Sequence, residues 1–335
     1  MSTDPDSVVA RVMRYLGFGY SPDDPVERRL QELKRAKTIR RVIWFFSLAL
    51  FGYFFLLALL EVEFHLNELL YYWPEFRSAL NEFFPITTVL GLPFLDVWVY
   101  WEFIMDPDRM DQYPTLFHAA VVTLAMGFAG TVMGAPGALL FGVLGNERVT
   151  PFPFNFIFRG TMSTIRAIPA LVWALIYVPL GGISPFTGTL AIATDTIGNL
   201  GRLFTDELEE IESGPIEAIN STGASRPQTI IFGMLSQVFT PFIAWTLYIL
   251  EINVRIAVTL GLIGGGGLGY VLITQQGLFN YTNMMATILV IFILIVSVEM
   301  ISQRTRSYIR GEDETMSFKE LVLGFPQRMA ETLWK

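Results

Sequence analysis

Long apolar runs without charge dominate the chain of 335 residues. Val42 to Leu60 reads VIWFFSLALFGYFFLLALL, and Met284 to Val298 reads MMATILVIFILIVSV. Such runs approach the roughly 20 residues that a helix needs to cross a hydrocarbon layer about 30 Å thick. The pattern predicts an all-α integral membrane protein with about six transmembrane helices. They fall at about 42–60, 116–143, 165–180, 187–204, 229–257 and 283–301. In the second, Gly127, Gly130, Gly134 and Gly137 recur every three or four residues. A stripe of small residues at that spacing lets helix backbones approach closely in lipid. Pro169 is placed to kink the third span. The stretch 258–281 is apolar but broken by glycines, and reads either as a poorly formed seventh span or as a re-entrant segment.

The basic residues set the expected orientation. Of 23 Lys and Arg, nine precede the first span and six follow the last, whereas the segment 61–115 holds only Arg77 and Arg109. Loops rich in Lys and Arg stay in the cytoplasm, so both termini are expected there. The expected organisation is then a cytoplasmic N-terminal segment 1–41, a first transmembrane helix 42–60 and an extracytoplasmic segment 61–115. A transmembrane core 116–302 and a cytoplasmic tail 303–335 follow. Residues 1–41 are charged and lack the apolar stretch of a cleavable signal peptide. Val8, Val9, Val12, Met13 and Leu16 form one apolar face, and Phe318, Leu321, Val322 and Phe325 form another. Each reads either as a helix lying on the inner membrane surface or as one packed on protein.

Composition removes several chemistries. The chain has no cysteine, so disulfides and thiolates are excluded. His65 and His118 stand far apart without neighbouring ligands, so no metal site is expected. No G-x-x-x-x-G-K-[ST] phosphate loop occurs, and the net charge of −8 goes with no expected nucleic-acid partner. The glycine run Leu262–Tyr270, LIGGGGLGY, fits a dinucleotide fingerprint through Gly264, Gly266 and Gly269. That fingerprint needs a strand before it and an acidic residue about twenty positions on. Here an intramembrane helix precedes it, and the next acid is Glu299. The run is read as a helix break toward the outer face. A flexible turn or gate at Gly264, Gly266, Gly267 and Gly269 and a tight packing point both remain open.

Four ionisable residues fall in or beside the spans, namely Arg166, Asp195, Glu251 and Arg255. A charge at mid-bilayer costs roughly 2.5–3.5 kcal/mol on insertion scales, so such groups face a pocket or a partner. Glu251 and Arg255, four apart, share one helical face. On one reading they belong to a polar passage for an anion, with Arg255 or Arg166 on its oxygens and Glu251 aiming Arg255. On the other they form a self-satisfied pair that fastens two helices, while Arg166 snorkels at the cytoplasmic face. Asp195 fits either.

Between the fourth and fifth spans lies GPIEAINSTGASRPQTIIFGMLSQV. Gly214 is the expected cap, with Pro215 first and Glu217 third in a short helix of two turns. Gly223 ends it where a left-handed residue is wanted, and Ser225 to Gln228 opens the next helix with a capping box. A short rigid helix on the cytoplasmic side suits docking into a partner's groove, and equally a plain connector.

Glu217-Ala218-Ile219, Gly223 and Leu235 resemble the EAA motif of the membrane subunits of ATP-binding-cassette importers. The wider stretch resembles phosphonate-type permeases in particular. So do YILEINVRIAVTLGLIGGGGLGY and SQRTRSYI, and the likeness covers about residues 115–310. It implies the type I importer permease fold, with Glu217, Ala218 and Gly223 coupling to a separate ATPase subunit in two copies. It further implies a second permease copy as a homodimer and an extracytoplasmic substrate-binding protein. ATP and Mg would be used by the ATPase, and this chain would bind no cofactor. The implied cargo is phosphonate or a related phosphorus oxyanion, moved by alternating access. Three positions depart from the pattern. Ile219 replaces an alanine, and Ser236 replaces a proline, so the kink of the fifth span is weaker or moved to Pro241. Asp195 stands where a related subfamily carries histidine. An ion-gradient-driven secondary transporter is the alternative, but no inverted repeat is found and the EAA-like loop would be unexplained. No acid–base, metal or nucleophile constellation supports an enzyme.

Overall fold

A computed structural model describes residues 25–89, 92–105 and 113–310. The two terminal apolar faces and Arg109 lie outside the described residues. In chain order the elements are α1 (Pro25–Glu61), α2 (Leu66–Tyr71), α3 (Trp73–Phe83), the antiparallel strands β1 (Ile86–Val89) and β2 (Leu92–Leu95), and α4 (Val97–Met105). Then come α5 (Leu116–Leu144), α6 (Phe154–Ala167), α7 (Ala170–Gly181), α8 (Pro185–Glu210) and α9 (Ser213–Ser221). A long rod α10 (Arg226–Gly265), α11 (Gly267–Gly277) and α12 (Tyr281–Arg310) complete the chain.

The chain divides into two compact units, residues 1–77 and 78–335. In the first, α1 is apolar on every face over its second half, with a mean hydropathy of 2.3 across the best window of 35–61. A helix that is hydrophobic all round needs an apolar solvent. It begins at Pro25, well before the predicted span, and carries the basic stretch Arg35 to Arg41 in the same helix.

The second unit is organised by α5 and α8. Their glycines bring the two backbones together. A Cβ on Gly134 would stand 2.6 Å from the Thr196 Cβ, and one on Gly142 would stand 2.8 Å from the Phe204 Cβ. Gly127 meets α10 instead, where Val254 would be 2.8 Å from an added Cβ. The predicted stripe thus serves two neighbours. α8 answers with its own glycines: at Gly198 the end of α6 comes in at Ile165 and Arg166, and at Gly201 Met162 and Ala138 come in. Ser184 caps α8 in a capping box with Thr187, with Pro185 at the first turn.

The expected spans fall on α1, α5, the α6–α7 pair, α8, α10 and α12. Four of these, α1, α5, α10 and α12, are long and apolar enough by composition alone to cross a membrane. α8 falls below that measure because it carries the polar interior, and Asp195, Thr196 and Thr205 are all buried. The third span departs from expectation. Instead of one kinked helix over 165–180, α6 and α7 meet at 91°. Ile168 is extended at φ −99° and ψ 116°, as a residue before proline prefers. In α10, a π turn over Thr229–Leu235 precedes the regular helix that contains Pro241. The irregularity therefore lies ahead of the proline. α11, with 11 residues, rises only about 16 Å at 1.5 Å per residue. It is too short for a seventh span.

The hydrophobic core forms three clusters along the bundle. One, at the α11 end, gathers Tyr100, Phe103, Leu116, Leu268 and Ala286. A middle one holds Met126, Ile192 and Leu260. At the α9 end, the Phe204 and Phe242 rings stack 4.0 Å apart among Leu200, Leu208 and Met234.

The glycine contacts generate a direct test. Gly134→Val should force α5 from α8 and lower stability by about 1–3 kcal/mol, the usual cost of overpacking. Gly160→Ala, where nothing lies within 4 Å, should leave stability unchanged or slightly raised. Thermal unfolding in detergent separates the two.

Candidate functional site

The short helix α9 starts two residues earlier than expected, with Glu212 as its cap, so Pro215 lies third. It ends as expected: Gly223 has φ +81°. Ser225 donates its backbone N–H to Gln228 Oε1 at 2.8 Å, opening α10. One face of α9 packs on the π turn of α10, where Ile216 and Ile219 come against Gly233. Thr229 Oγ1 donates to Asn220 Oδ1 at 2.6 Å. The opposite face, including Glu217 and Ala218, is exposed, and Glu217 has no ion pair or hydrogen bond among the described residues.

The base of α9 is clamped by arginines. Arg148 Nη1 donates to the Ile211 carbonyl at 3.1 Å, and Arg226 Nη2 to the Val149 carbonyl at 2.9 Å. Arg159 Nε donates to the Gly145 carbonyl at 2.7 Å, and its guanidinium pairs with Glu209. Trp245 Nε1 donates to Glu207 Oε1 at 2.6 Å. Loop 145–153, the end of α8 and the start of α10 are thereby tied around one exposed nine-residue helix. In the sequence, Arg148, Arg159 and Arg226 stand out only as basic residues between the expected spans.

At the other end of the bundle, the glycine run has a definite structure. Gly264, Gly266 and Gly267 all have positive φ, at 95°, 91° and 67°. This permits the reversal from α10 into α11. The first amides of α11 are occupied: Gly267 N–H donates to the Tyr113 hydroxyl at 2.6 Å, and Leu268 N–H to Thr123 Oγ1 at 2.8 Å. These are the groups that a phosphate would need in a dinucleotide loop. There is no spare room either. A Cβ on Gly266 would stand 2.7 Å from Pro185 Cγ, one on Gly267 would strike Thr123 Oγ1, and one on Gly269 would strike the Val258 carbonyl. These glycines thus lie in close contact with α5, α8 and α10.

The polar interior is largely self-satisfied. Asn253, fully buried, donates Nδ2 to Thr131 Oγ1 and to Thr196 Oγ1, each at 2.8 Å, and so joins α10, α5 and α8. Nothing in its sequence neighbours marked this residue beyond one amide in an apolar run. Glu251 and Arg255 do meet, at 2.8 Å, but within a larger cluster. Arg255 also pairs with Glu299 at 3.1 Å, and Arg306 reaches Glu251 at 3.5 Å. Arg306 further lies 5.7 Å over the Tyr248 ring. Two acids and two arginines from α10 and α12 thus balance one another. Both carboxylates are met by the same Arg255 nitrogen, Nη2.

Asp195 is buried on α8, where Asn199 Nδ2 donates to its Oδ2 at 2.9 Å. Arg166, at the bend between α6 and α7, comes in beside Gly198, one turn along. It acts on the Asp195 charge without forming a direct ion pair, and it donates no hydrogen bond among the described residues. Tyr177 and Thr194 share a hydroxyl contact of 2.7 Å beside it. A seam of mixed charge therefore runs between the bend and α8, and it is separate from the Glu251 cluster.

Residues 134–306 match the family described as binding-protein-dependent transport system inner membrane component. The chain belongs to this family. Its members are permease subunits, so the chain is a multi-pass membrane component and not itself an enzyme. The phosphate-import permease protein PhnE of Mycolicibacterium smegmatis is 34% identical over 193 residues, which is 57% of this chain and 36% of that protein. The putative phosphite transport system permease protein HtxC of Stutzerimonas stutzeri is 31% identical over 219 residues, 64% of this chain and 76% of that one. The chain thus spans about a third of the first relative and three quarters of the second. An inward-facing structure of the MetNI methionine ABC transporter superposes with a TM-score of 0.50 at 20% identity, over 58% of this chain and 94% of that one. The fold is accordingly that of a type I importer permease.

The charge cluster of this permease is testable. Arg255→Gln should leave Glu299 without its arginine and cost about 2.5–3.5 kcal/mol, the insertion cost of an unpaired intramembrane charge. Adding Glu299→Gln should recover most of that loss in thermal unfolding, whereas adding Glu251→Gln should not, because it strands Arg306 as well.

Proposed function

We propose that this chain is the membrane-spanning permease of an ATP-driven importer for phosphonate or a related phosphorus oxyanion. The observation that carries the reading is α9. The segments flanking a short helix are fixed by four arginine hydrogen bonds and ion pairs, yet the helix presents Glu217 and Ala218 to solvent, with no side-chain partner for Glu217 among the described residues. That is the geometry of a part made to receive force from another subunit. The partner is an ABC ATPase, in two copies on a permease homodimer, and it uses the ATP and Mg. ATPase closure moves the Glu217 helices, and the clamp passes the movement to α8 and α10, which switch between inward- and outward-facing forms. An extracytoplasmic binding protein delivers the cargo. Both termini and α9 lie in the cytoplasm, and the α10–α11 reversal lies toward the outer face.

The phosphorus oxyanion is favoured by the two relatives, a phosphate-import permease and a putative phosphite transport permease. Within the spans, Arg166 is the better candidate for contact with its oxygens, because the Arg255 guanidinium is already engaged by Glu251 and Glu299. Asp195 and Asn199 would then shape the opposite wall. The Glu251 cluster fastens α10 to α12 and takes no part in binding.

Glu217→Lys should abolish the stimulation of ATPase activity by loaded binding protein in proteoliposomes, while thermal stability stays within about 0.5 kcal/mol, as for other surface changes. Unchanged transport in that variant removes the coupling role. Arg166→Gln should lower uptake of phosphonate while leaving assembly with the ATPase intact; normal uptake would take Arg166 out of the path.

A further inference from the structure

The strands β1 and β2 and the helix α4 that follows them form a small accessory element. It is fastened at one level of the bundle. Thr282 Oγ1, in the first turn of α12, donates to the Glu82 carbonyl at 2.8 Å, and the Phe83 and Tyr281 rings lie 5.2 Å apart. Tyr100 donates its hydroxyl to the Phe83 carbonyl at 2.5 Å. Burial, helped by the nearby Asp96 carboxylate, pushes the Tyr100 hydroxyl above its ordinary pKa, so it keeps that proton. Tyr100 and Phe103 then enter the core beside Leu116, the first residue of α5, and Leu268.

The rest of the element is apolar and uncovered. Ile86 and Leu95 pair across the hairpin and are both exposed, at 68% and 45%. Phe94 is 52% exposed, Trp98 73% and Trp101 50%. A two-stranded hairpin without a core is marginal in water, and an apolar surface of this extent marks a contact.

We propose that the hairpin and α4 lie in the interfacial layer of the bilayer at the α11 end, with lipid covering Phe94, Trp98 and Trp101. Three observations select lipid over a protein partner. The element is fastened where α5 and α12 begin, which is the level at which spans enter the membrane. Its exposed residues are of the aromatic and amphipathic kind enriched at that boundary. Residues 78–105 contain no Lys or Arg, and their acids are Glu82, Asp96 and Glu102; the contact is therefore apolar and independent of anionic headgroups. Depth is bounded too. Each strand of a two-stranded sheet has an open edge, and its unpaired N–H and C=O groups cannot be satisfied in hydrocarbon. The element therefore lies at the headgroup boundary and not deeper. It is the outer leaflet if both termini are cytoplasmic, and only that label rests on the proposed function.

The absence of cysteine makes the test clean. Phe94→Cys and Trp98→Cys are spin-labelled singly in the full chain and reconstituted in phosphatidylcholine vesicles. Collisions with oxygen and with a water-soluble nickel chelate are then compared. Phe292→Cys on α12 is the lipid control and Ser221→Cys on α9 the water control. The expected result is oxygen exceeding nickel at both positions, as for the Phe292 control, and unchanged when anionic lipid is added. Nickel dominance, as for the Ser221 control, would overturn the proposal. So would shielding from both reagents, which would mean a protein partner. None of these outcomes depends on the cargo or on the ATPase, so a failure here leaves the transport reading standing.

Discussion

The close approach of α5 and α8 is the constraint on which the remaining structure depends. In lipid, no hydrophobic force drives two helices together, because the solvent is as apolar as the side chains. What remains is backbone contact and hydrogen bonding. Glycines on both helices supply the first, and Thr205 Oγ1 reaching the Gly142 carbonyl at 3.1 Å is an instance of the second. Once these helices are locked, the polar residues of α8 are held away from lipid. Asp195, Thr196 and Thr205 can then stay in a helix too polar to enter a membrane by its own hydropathy.

The same logic governs the intramembrane charges. Asn253 binds two threonine hydroxyls on two other helices, and Glu251, Arg255, Glu299 and Arg306 neutralise one another between α10 and α12. Each group solves the problem of a polar side chain in a dry environment by finding a partner on a different helix. These contacts set helix register. The seam around Arg166 and Asp195 differs. There the charges influence one another without closing a pair, at a bend where α6 turns into α7 by 91°.

How much of this was legible in the sequence follows from the range of each interaction. Apolar runs, caps and glycine spacing are local, so the long helices, the left-handed Gly223 and the capping box at Ser225 could be read directly. Pro169 predicts a kink where the fold makes a 91° break, because proline announces a bend but not its size. Pairings across the bundle were invisible. Glu251 and Arg255 are four residues apart and were visible as a pair, whereas Glu299 and Arg306 lie on another helix and turned that pair into a cluster. Tyr113, Thr123 and Asn253 carried no signal at all, since a hydroxyl or amide in an apolar run acquires meaning only from what faces it.

The glycine run shows why context decides between equal patterns. Its spacing fits a phosphate cradle, and its left-handed residues do free the backbone amides that such a cradle uses. In a water-facing enzyme those amides would wait for a ligand. In a membrane, an unpaired amide costs too much to leave waiting, so the fold fills the positions with the hydroxyls of Tyr113 and Thr123. The reversal from α10 to α11 is consequently bound to α5 at Thr123 and to the chain just before α5 at Tyr113. Any motion of α5 against α10 must carry the reversal with it. The glycines therefore form a closely packed corner of the bundle, tied by hydrogen bonds to α5 and to the chain before it.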